Sequence, residues 1–456
     1  MNVLTVVGGG LAGCEAAWQA ALCGVDVTLY EMRPQKSGPA HKTGDLAELV
    51  CSNSLRGAAI ENAVGLLKEE LAYLDSVIIT SARETAVPAG GALAVDRVRF
   101  ARKVQSRLES HPRIRIQREE VVDIPTDRPV IIACGPLPSD ALVSQIDKLL
   151  QRRLHYYDAA SPIVSAESID QSQMYRKSRY DKGEGADYLN IPLRRDQYAQ
   201  LVADLRELPQ HQPKDFELDA SRGSVPYFEG CLPVEEMARR GDGTLRFGPL
   251  KPVGLRDPRT GEAPYAVVQL RKENAEGTAF NLVGFQTRLT WPAQREAFGK
   301  LPGLKNAEWL RFGVMHRNTF IDSPRLLDAD LRLRGYDELH FAGQITGAEG
   351  YVEAAACGAI AAIALTRKLQ GAPRVSVPRE TALGAVIAHL QNTETADFQP
   401  ANVTWAQFPA LSTEEILGAR RDKRLRRERM AARALVALQE FKREIGRVET
   451  SLVAAG

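Results

Sequence analysis

Val3-Leu4-Thr5-Val6-Val7-Gly8-Gly9-Gly10-Leu11-Ala12-Gly13 opens the chain, and its reading decides the fold. Five residues of short apolar strand run straight into a glycine turn. An alanine-rich segment from Ala12 to about Cys23 follows as a helix and stops at Gly24; Val25 to Tyr30 then reads as a second strand that ends on Glu31. This is a βαβ unit with the dinucleotide-binding spacing. Gly8 lets the chain turn at the strand end. Gly10 has no Cβ to hold the backbone off a pyrophosphate, and Gly13 allows close helix–sheet packing. The backbone of Gly8, Gly9, Gly10, Leu11, Ala12 and Gly13 thus presents unpaired N–H groups and a positive dipole end to phosphates. Glu31 stands where it can accept ribose hydroxyls, and its charge would repel a 2′-phosphate, so the site suits FAD or NAD better than NADP. A glycine triplet alone marks only a turn; the strand, helix and acid in register make it a nucleotide site.

Bulk properties narrow the class further. At 456 residues the chain is long enough for two or three domains. A net charge of +2 gives no global case for nucleic acid, so any basic surface must be local. The six cysteines are scattered, without CxxC pairs or metal-ligand spacing, which argues for a reducing cytoplasm and against a metal site or disulfide framework. The apolar start is too short and glycine-rich for a secretory leader, and no apolar run approaches a membrane span.

Farther along, Leu66, Leu67, Leu71 and Leu74 recur at helical spacing within residues 62–75. Asp96 is placed to cap a helix running to about Ser110, with Val98, Phe100, Val104 and Leu108 inward. Ile114–Gln117 and Val121–Ile124 read as short strands, and residues 129–135 as a buried strand ending on Gly135. From about Leu154 to Arg317 the periodicity is mixed, which suggests an inserted α+β domain. The nucleotide fold then resumes: Leu339–Phe341 as a strand, Gly343 and Gln344 in the turn, Gly350 before a small-residue helix from Tyr351 to about Leu369. That second glycine-led helix end suits the flavin end of FAD, where its dipole stabilises negative charge on the reduced ring. The fold class is therefore α/β, a Rossmann-like FAD-binding domain of the glutathione-reductase type with an inserted α+β domain and a helical tail. Its expected parts are residues 1–153, the insertion 154–317, the returning part 318–372 and the tail 373–456. In the tail, residues 420–433 hold eight basic residues against Asp422 and Glu428. Ile416, Leu425, Met430, Leu435, Leu438 and Phe441 fall largely on one side of a helix there. Such a run is either a solvated face or a contact for RNA phosphates.

Several further motifs carry a resemblance. They are Cys51-Ser52-Asn53-Ser54, residues 180–185 (YDKGEG), Phe228-Glu229-Gly230-Cys231-Leu232-Pro233 through Met237, residues 246–255 (RFGPLKPVGL) and residues 313–320 (GVMHRNTF). Together they resemble the folate- and FAD-dependent tRNA (uracil-5-)-methyltransferases over nearly the whole chain, including Trp405-Ala406-Gln407-Phe408-Pro409. Larger relatives that modify wobble uridines share the FAD half and carry a further helical domain, for which this chain is too short. The resemblance implies FAD, 5,10-methylenetetrahydrofolate as one-carbon donor, NAD(P)H as external reductant, and the T arm of tRNA as partner. The family's two motif cysteines match Cys51 and Cys231.

The chemistry suits those residues independently. Uracil C5 is a poor nucleophile until a thiolate adds to C6, and the C5 proton must then leave to a base. Cysteine supplies an accessible, strongly nucleophilic thiolate. Which of Cys51 and Cys231 is nucleophile and which is base stays open, with a lean to Cys231 in its glycine–proline turn; a route in which the flavin carries the methylene leaves both roles open. Cys14, Cys23, Cys134 and Cys357 read as packing residues, His111 and His389 as surface, and His316 as either a site contact or a structural residue. Competing readings are uridine methylation of rRNA, a small-molecule NAD(P)H-dependent flavin oxidoreductase, and a non-catalytic FAD scaffold. RNA choice separates the first, and rapid nicotinamide reduction without tRNA binding the second.

Overall fold

Five parallel strands form the central sheet, in the order Leu339–Phe341, Val130–Ile132, Leu4–Val7, Val27–Tyr30, Ile114–Gln117. The computed structural model describes residues 3–150, 154–159, 161–183, 185–211, 232–313, 315–393, 398–419 and 421–446. Strands Leu4–Val7, Val130–Ile132 and Leu339–Phe341 are short and buried throughout, as apolar runs without alternation should be, while Val27–Tyr30 and Ile114–Gln117 are only partly buried. Helix Leu11–Leu22 follows the first strand and packs along helix Tyr351–Leu369. The approach is close enough that a Cβ on Gly358 would strike the Ala12 backbone. Small residues on both helices are what allow the two nucleotide-facing helix ends to lie side by side.

Residues between strands Val27–Tyr30 and Ile114–Gln117 build a covering layer: helices Ala63–Tyr73, Val77–Glu84 and Arg97–Ser110 with a small antiparallel sheet of Ser54–Gly57, Ala92–Val95 and Ala86–Val87. Asp96 caps the third helix as its sequence suggests, accepting from Arg99 N at 3.0 Å. Val98 does not turn inward: it is 48% exposed, and Phe100, Ala101, Val104 and Leu108 make the buried face. Val121–Ile124 forms no strand. Val122 points to solvent, Asp123 is bonded to Gln145, and Pro125 offers no N–H to a ladder.

An antiparallel pair, Leu154–Ala159 with Met315–Phe320, leads into and out of the insertion. Beyond it lies a six-stranded sheet in the order Tyr175–Arg176, Tyr188–Leu193, Ala266–Lys272, Ala279–Leu282, Ile163–Ser165, Trp309–Arg311. Its apolar face packs on helices Arg195–Glu207 and Trp291–Gly299 around a core of its own, from Val164 to Leu304. The C-terminal helix Ala382–Leu390 docks on Ala63–Tyr73, with the buried Glu70 accepting from Ala382 N at 2.7 Å and Leu383 N at 2.8 Å. The last described helix is Lys423–Glu444, capped by Asp422, so Ile416 lies before it rather than on its apolar side. Among the described residues no helix is long and apolar enough to cross a membrane.

Candidate active site

The glycine turn behaves as its residue types require. Gly8 sits at φ +108°, and a Cβ there would lie 2.5 Å from Ala133 O; one on Gly13 would collide with Gly8 O. Gly10 differs, since no atom lies within 4 Å of the position its Cβ would take. That empty space belongs to a cleft of about 1000 Å³ lined by residues 7–12, Glu31, Arg33, Cys134, Pro136, Gly343, Gln344 and Tyr351. Both glycine-led helix ends therefore open into one cleft. Cys134, two residues beyond the strand, is half-buried and packs against the main core as expected, and it also lines the wall of this cleft.

Glu31 lines this cleft with its carboxylate already well supplied with donors. Oε2 accepts from Gly9 N at 2.9 Å and Arg33 Nη2 at 3.0 Å; Oε1 accepts from Arg33 N at 3.0 Å and Arg33 Nε at 2.8 Å. Burial alone would raise this carboxyl, but the hydrogen bond and charge of Arg33 outweigh it and hold it below the ordinary range. Arg33 is in turn held by Glu48 at 3.1 Å. Nothing in the periodicity singles out Arg33, because its partner is two residues away on an irregular segment.

A second cleft, of about 1360 Å³, shares Val50, Pro136, Leu137, Gln344 and Tyr351 with the first and leads to Cys51. Four side chains grip the Cys51 loop. The phenol oxygen of Tyr351 accepts from Cys51 N at 2.8 Å and Ser52 N at 3.1 Å. Arg97 donates to Leu49 O and pairs with Glu273 at 2.9 Å, and Arg311 donates to Val50 O. Arg271 donates to Ser52 Oγ at 2.7 Å and Asn53 Oδ1 at 2.9 Å. Burial lowers the Arg311 guanidinium, and the neighbouring Arg97 adds to this, while Arg97 is held up against its own burial by Glu273. Both arginines act electrostatically on Cys51. Tyr351 is expected from the sequence only as a cofactor contact, and Arg97, Arg271 and Arg311 carry no signal there because they come from one helix start and two distant strands that only the fold brings together.

Gly350 and Gln344 also line this second cleft, with Gln344 Nε2 donating to Glu349 Oε1 at 2.9 Å. Glu353, on the first turn of the Tyr351 helix, pairs with Arg56 and accepts from Val403 N at 2.9 Å, which ties the C-terminal segment to the cleft rim. Beneath Arg56 the buried Lys68 donates to Gly57 O, and burial together with Arg56 pushes its ammonium down to about 7. Cys231 lies outside the described residues, as does Arg420, and the structure does not describe the His316 side chain. His389 is no surface residue: its ring packs 5.1 Å from Phe398, and burial lowers its pKa. His111 is half-buried, edge-on to Trp18 at 5.4 Å.

Residues 3–373 match the family model of glucose inhibited division protein A. The methylenetetrahydrofolate–tRNA-(uracil-5-)-methyltransferase TrmFO of Geobacter sulfurreducens is 53% identical over 440 residues, which is 96% of this chain and 99% of that one. This chain belongs to the TrmFO family. The TrmFO proteins of Natranaerobius thermophilus, 53% identical over 96% of this chain and 98% of the relative, and of Heliobacterium modesticaldum, 54% identical over 97% and 98%, agree. Among solved structures, Aquifex aeolicus GidA superposes with a TM-score of 0.71 at 16% identity, over 98% of this chain and 74% of that one, and so shares the fold. With the family, FAD and methylenetetrahydrofolate become the expected occupants of the joined clefts. The cradle fits the first: a glycine position with open space in front of it and a second helix end facing the same channel are what an extended dinucleotide needs.

Proposed function

We propose that this chain methylates C5 of the T-loop uridine, position 54, of tRNA, taking a one-carbon unit from 5,10-methylenetetrahydrofolate. The observation that carries this reading is the continuity of the two clefts, which lets a nucleotide held at the glycine turn reach Cys51. Gly8, Gly9, Gly10, Leu11, Ala12, Gly13 and Glu31 would hold the adenosine-diphosphate half of FAD. Gly343, Gln344, Gly350 and Tyr351 would hold its flavin end. Held there in reduced form, FAD would supply a hydride, with NAD(P)H as the outside reductant that restores it.

The remaining steps fall to the chain's own residues. One of Cys51 and Cys231 adds as a thiolate to uracil C6, which makes C5 nucleophilic toward the methylene carbon. The other removes the C5 proton. Loss of tetrahydrofolate from the C5 substituent then leaves an exocyclic methylene on the base, and a hydride added to that methylene would expel the thiolate from C6 to give the 5-methyl group. Arg97 and Arg311 place positive charge where an anion forms at Cys51, and the Tyr351 phenol fixes the backbone that carries it. On the C-terminal helix and just before it, exposed Lys423 and Arg421 supply charge for the tRNA backbone, joined by the exposed Arg424, which also pairs with Glu428 at 2.8 Å. Arg429 and Arg433 do not, because they are spent on carbonyls of residues 409–417. The free thiols among the described residues suit a cytoplasmic location.

Mass spectrometry of tRNA after incubation with enzyme, labelled methylenetetrahydrofolate and a reductant tests the reading. Labelled 5-methyluridine in the T loop is expected. Label found only on rRNA fragments, or none on RNA, overturns it.

A further inference from the structure

We infer that Asn281 reads the base, by pairing its side-chain amide with the O4 and N3–H edge of uracil. The inference rests on the methyltransferase reading above and names the residue that sets its substrate base. Asn281 is 2% exposed and lines the Cys51 cleft together with Ser52, Arg271 and Gln286. Its amide nitrogen is buried without a hydrogen-bond partner. Buried polar groups are almost always paired, so an orphan on a cleft wall marks a place where a ligand supplies the partner.

Position selects among ligands. Asn281 stands directly across from Arg271 in neighbouring antiparallel strands, so both side chains leave the same face of the sheet. Arg271 reaches from there to Ser52 and Asn53, next to Cys51. Asn281 is thus one side chain removed from the loop that bears the reactive thiol, on the wall built by the insertion rather than by the nucleotide sheet.

A side-chain amide offers one donor and one acceptor in the same plane. The matching partner is a ring edge with a carbonyl next to an N–H. Uracil presents this edge at O4 and N3–H; the pyrimidine ring of a flavin presents the same chemistry. Cytosine presents the reverse, a donor at N4 and an acceptor at N3, which the amide meets only when turned over about its Cβ–Cγ bond. Donation to O4 also acts on the reaction, since addition of a thiolate at C6 pushes negative charge onto that oxygen.

The test uses the FAD-loaded full chain and tRNA transcripts carrying either uridine or cytidine at the T-loop position. Wild type should methylate the uridine transcript and leave the cytidine transcript unmodified. Asn281→Ala should lose about 10- to 100-fold in kcat/KM on uridine, the loss expected for one missing pair of hydrogen bonds, with FAD content unchanged. Asn281→Asp, which keeps the shape, should lower uridine methylation likewise and produce detectable 5-methylcytidine. It serves as the folded variant should alanine destabilise the sheet. Near-normal kcat/KM on uridine in both variants overturns the assignment. Loss of the flavin absorbance in both also overturns it and gives the amide to the flavin edge instead. Failure of wild type itself to methylate the uridine transcript would bring down the underlying reading as well, and is thereby distinguished from failure of Asn281 alone.

Discussion

Replacing Tyr351 by phenylalanine removes one oxygen and nothing else. That oxygen accepts from Cys51 N at 2.8 Å and Ser52 N at 3.1 Å. Each buried donor left without an acceptor costs about 1–3 kcal/mol. Partial relief by water at the cleft edge brings the pair to about 2–4 kcal/mol. Arg97, Arg271 and Arg311 still hold the neighbouring residues, so the chain should fold and the penalty should fall on the ordered form of the loop. At about 1.4 kcal/mol per factor of ten, kcat falls by at most roughly 30- to 1000-fold. Single-turnover methylation of a tRNA transcript measures this, with the flavin absorbance as a check that FAD remains bound beside the retained ring. A Tyr351→Phe enzyme with wild-type turnover and wild-type melting temperature would show that the phenol does not hold the Cys51 loop.

Four further outcomes are expected. Cys51→Ala and Cys231→Ala should each abolish methylation and keep the yellow flavin spectrum; near-normal turnover in either would refute the two-cysteine mechanism. Gly10→Trp should purify colourless, because the open space before Gly10 is where its indole would lie, and retained FAD would contradict the pyrophosphate site. Neutralising Arg421, Arg424 and Arg427 should weaken tRNA binding and flatten its salt dependence by about 0.7–0.9 per lost phosphate contact; an unchanged slope returns the helix to a solvated face. His340, on the sheet strand Leu339–Phe341, is held neutral by burial with a pKa lowered from 6.5 to about 3. Because the folded form binds this proton more weakly, the stability it contributes is present above pH 6.5 and is lost as pH falls toward 3. Between pH 7 and 5 that loss is about 2 kcal/mol. Denaturant titrations of wild type and His340→Gln at the two pH values should differ by this amount, and equal pH slopes would refute it.

How much of this was legible beforehand follows from how local each signal is. The first thirty residues are a strand, a turn and a helix joined by backbone geometry, so Gly8, Gly13 and the acid at Glu31 can be read in order. The second helix end at Tyr351 is readable for the same reason. The grip on Cys51 is not, because Arg97 lies far upstream of Arg271 and Arg311 in the chain and the three meet only when the insertion folds back. Val98 misled because helical spacing tolerates a shift of one position, and Phe100 with Ala101 took the inward face. His389 looked like a polar residue at a helix end, yet Phe398 returns to cover it. Cys134 follows an apolar strand and packs on the core as its place suggests; that it also lines the cleft is not legible in the sequence.

The neck formed by Leu154–Ala159 and Met315–Phe320 gives the architecture a mechanical side. The Cys51 loop is encoded in the nucleotide-binding half but clasped by Arg271 and Arg311, which belong to strands of the insertion. The two halves are therefore not interchangeable modules. Excising the insertion at its neck would leave a sheet able to hold a nucleotide and a Cys51 loop held from one side only, by Tyr351 and Arg97, so the two halves must change in step for the thiol to keep its direction.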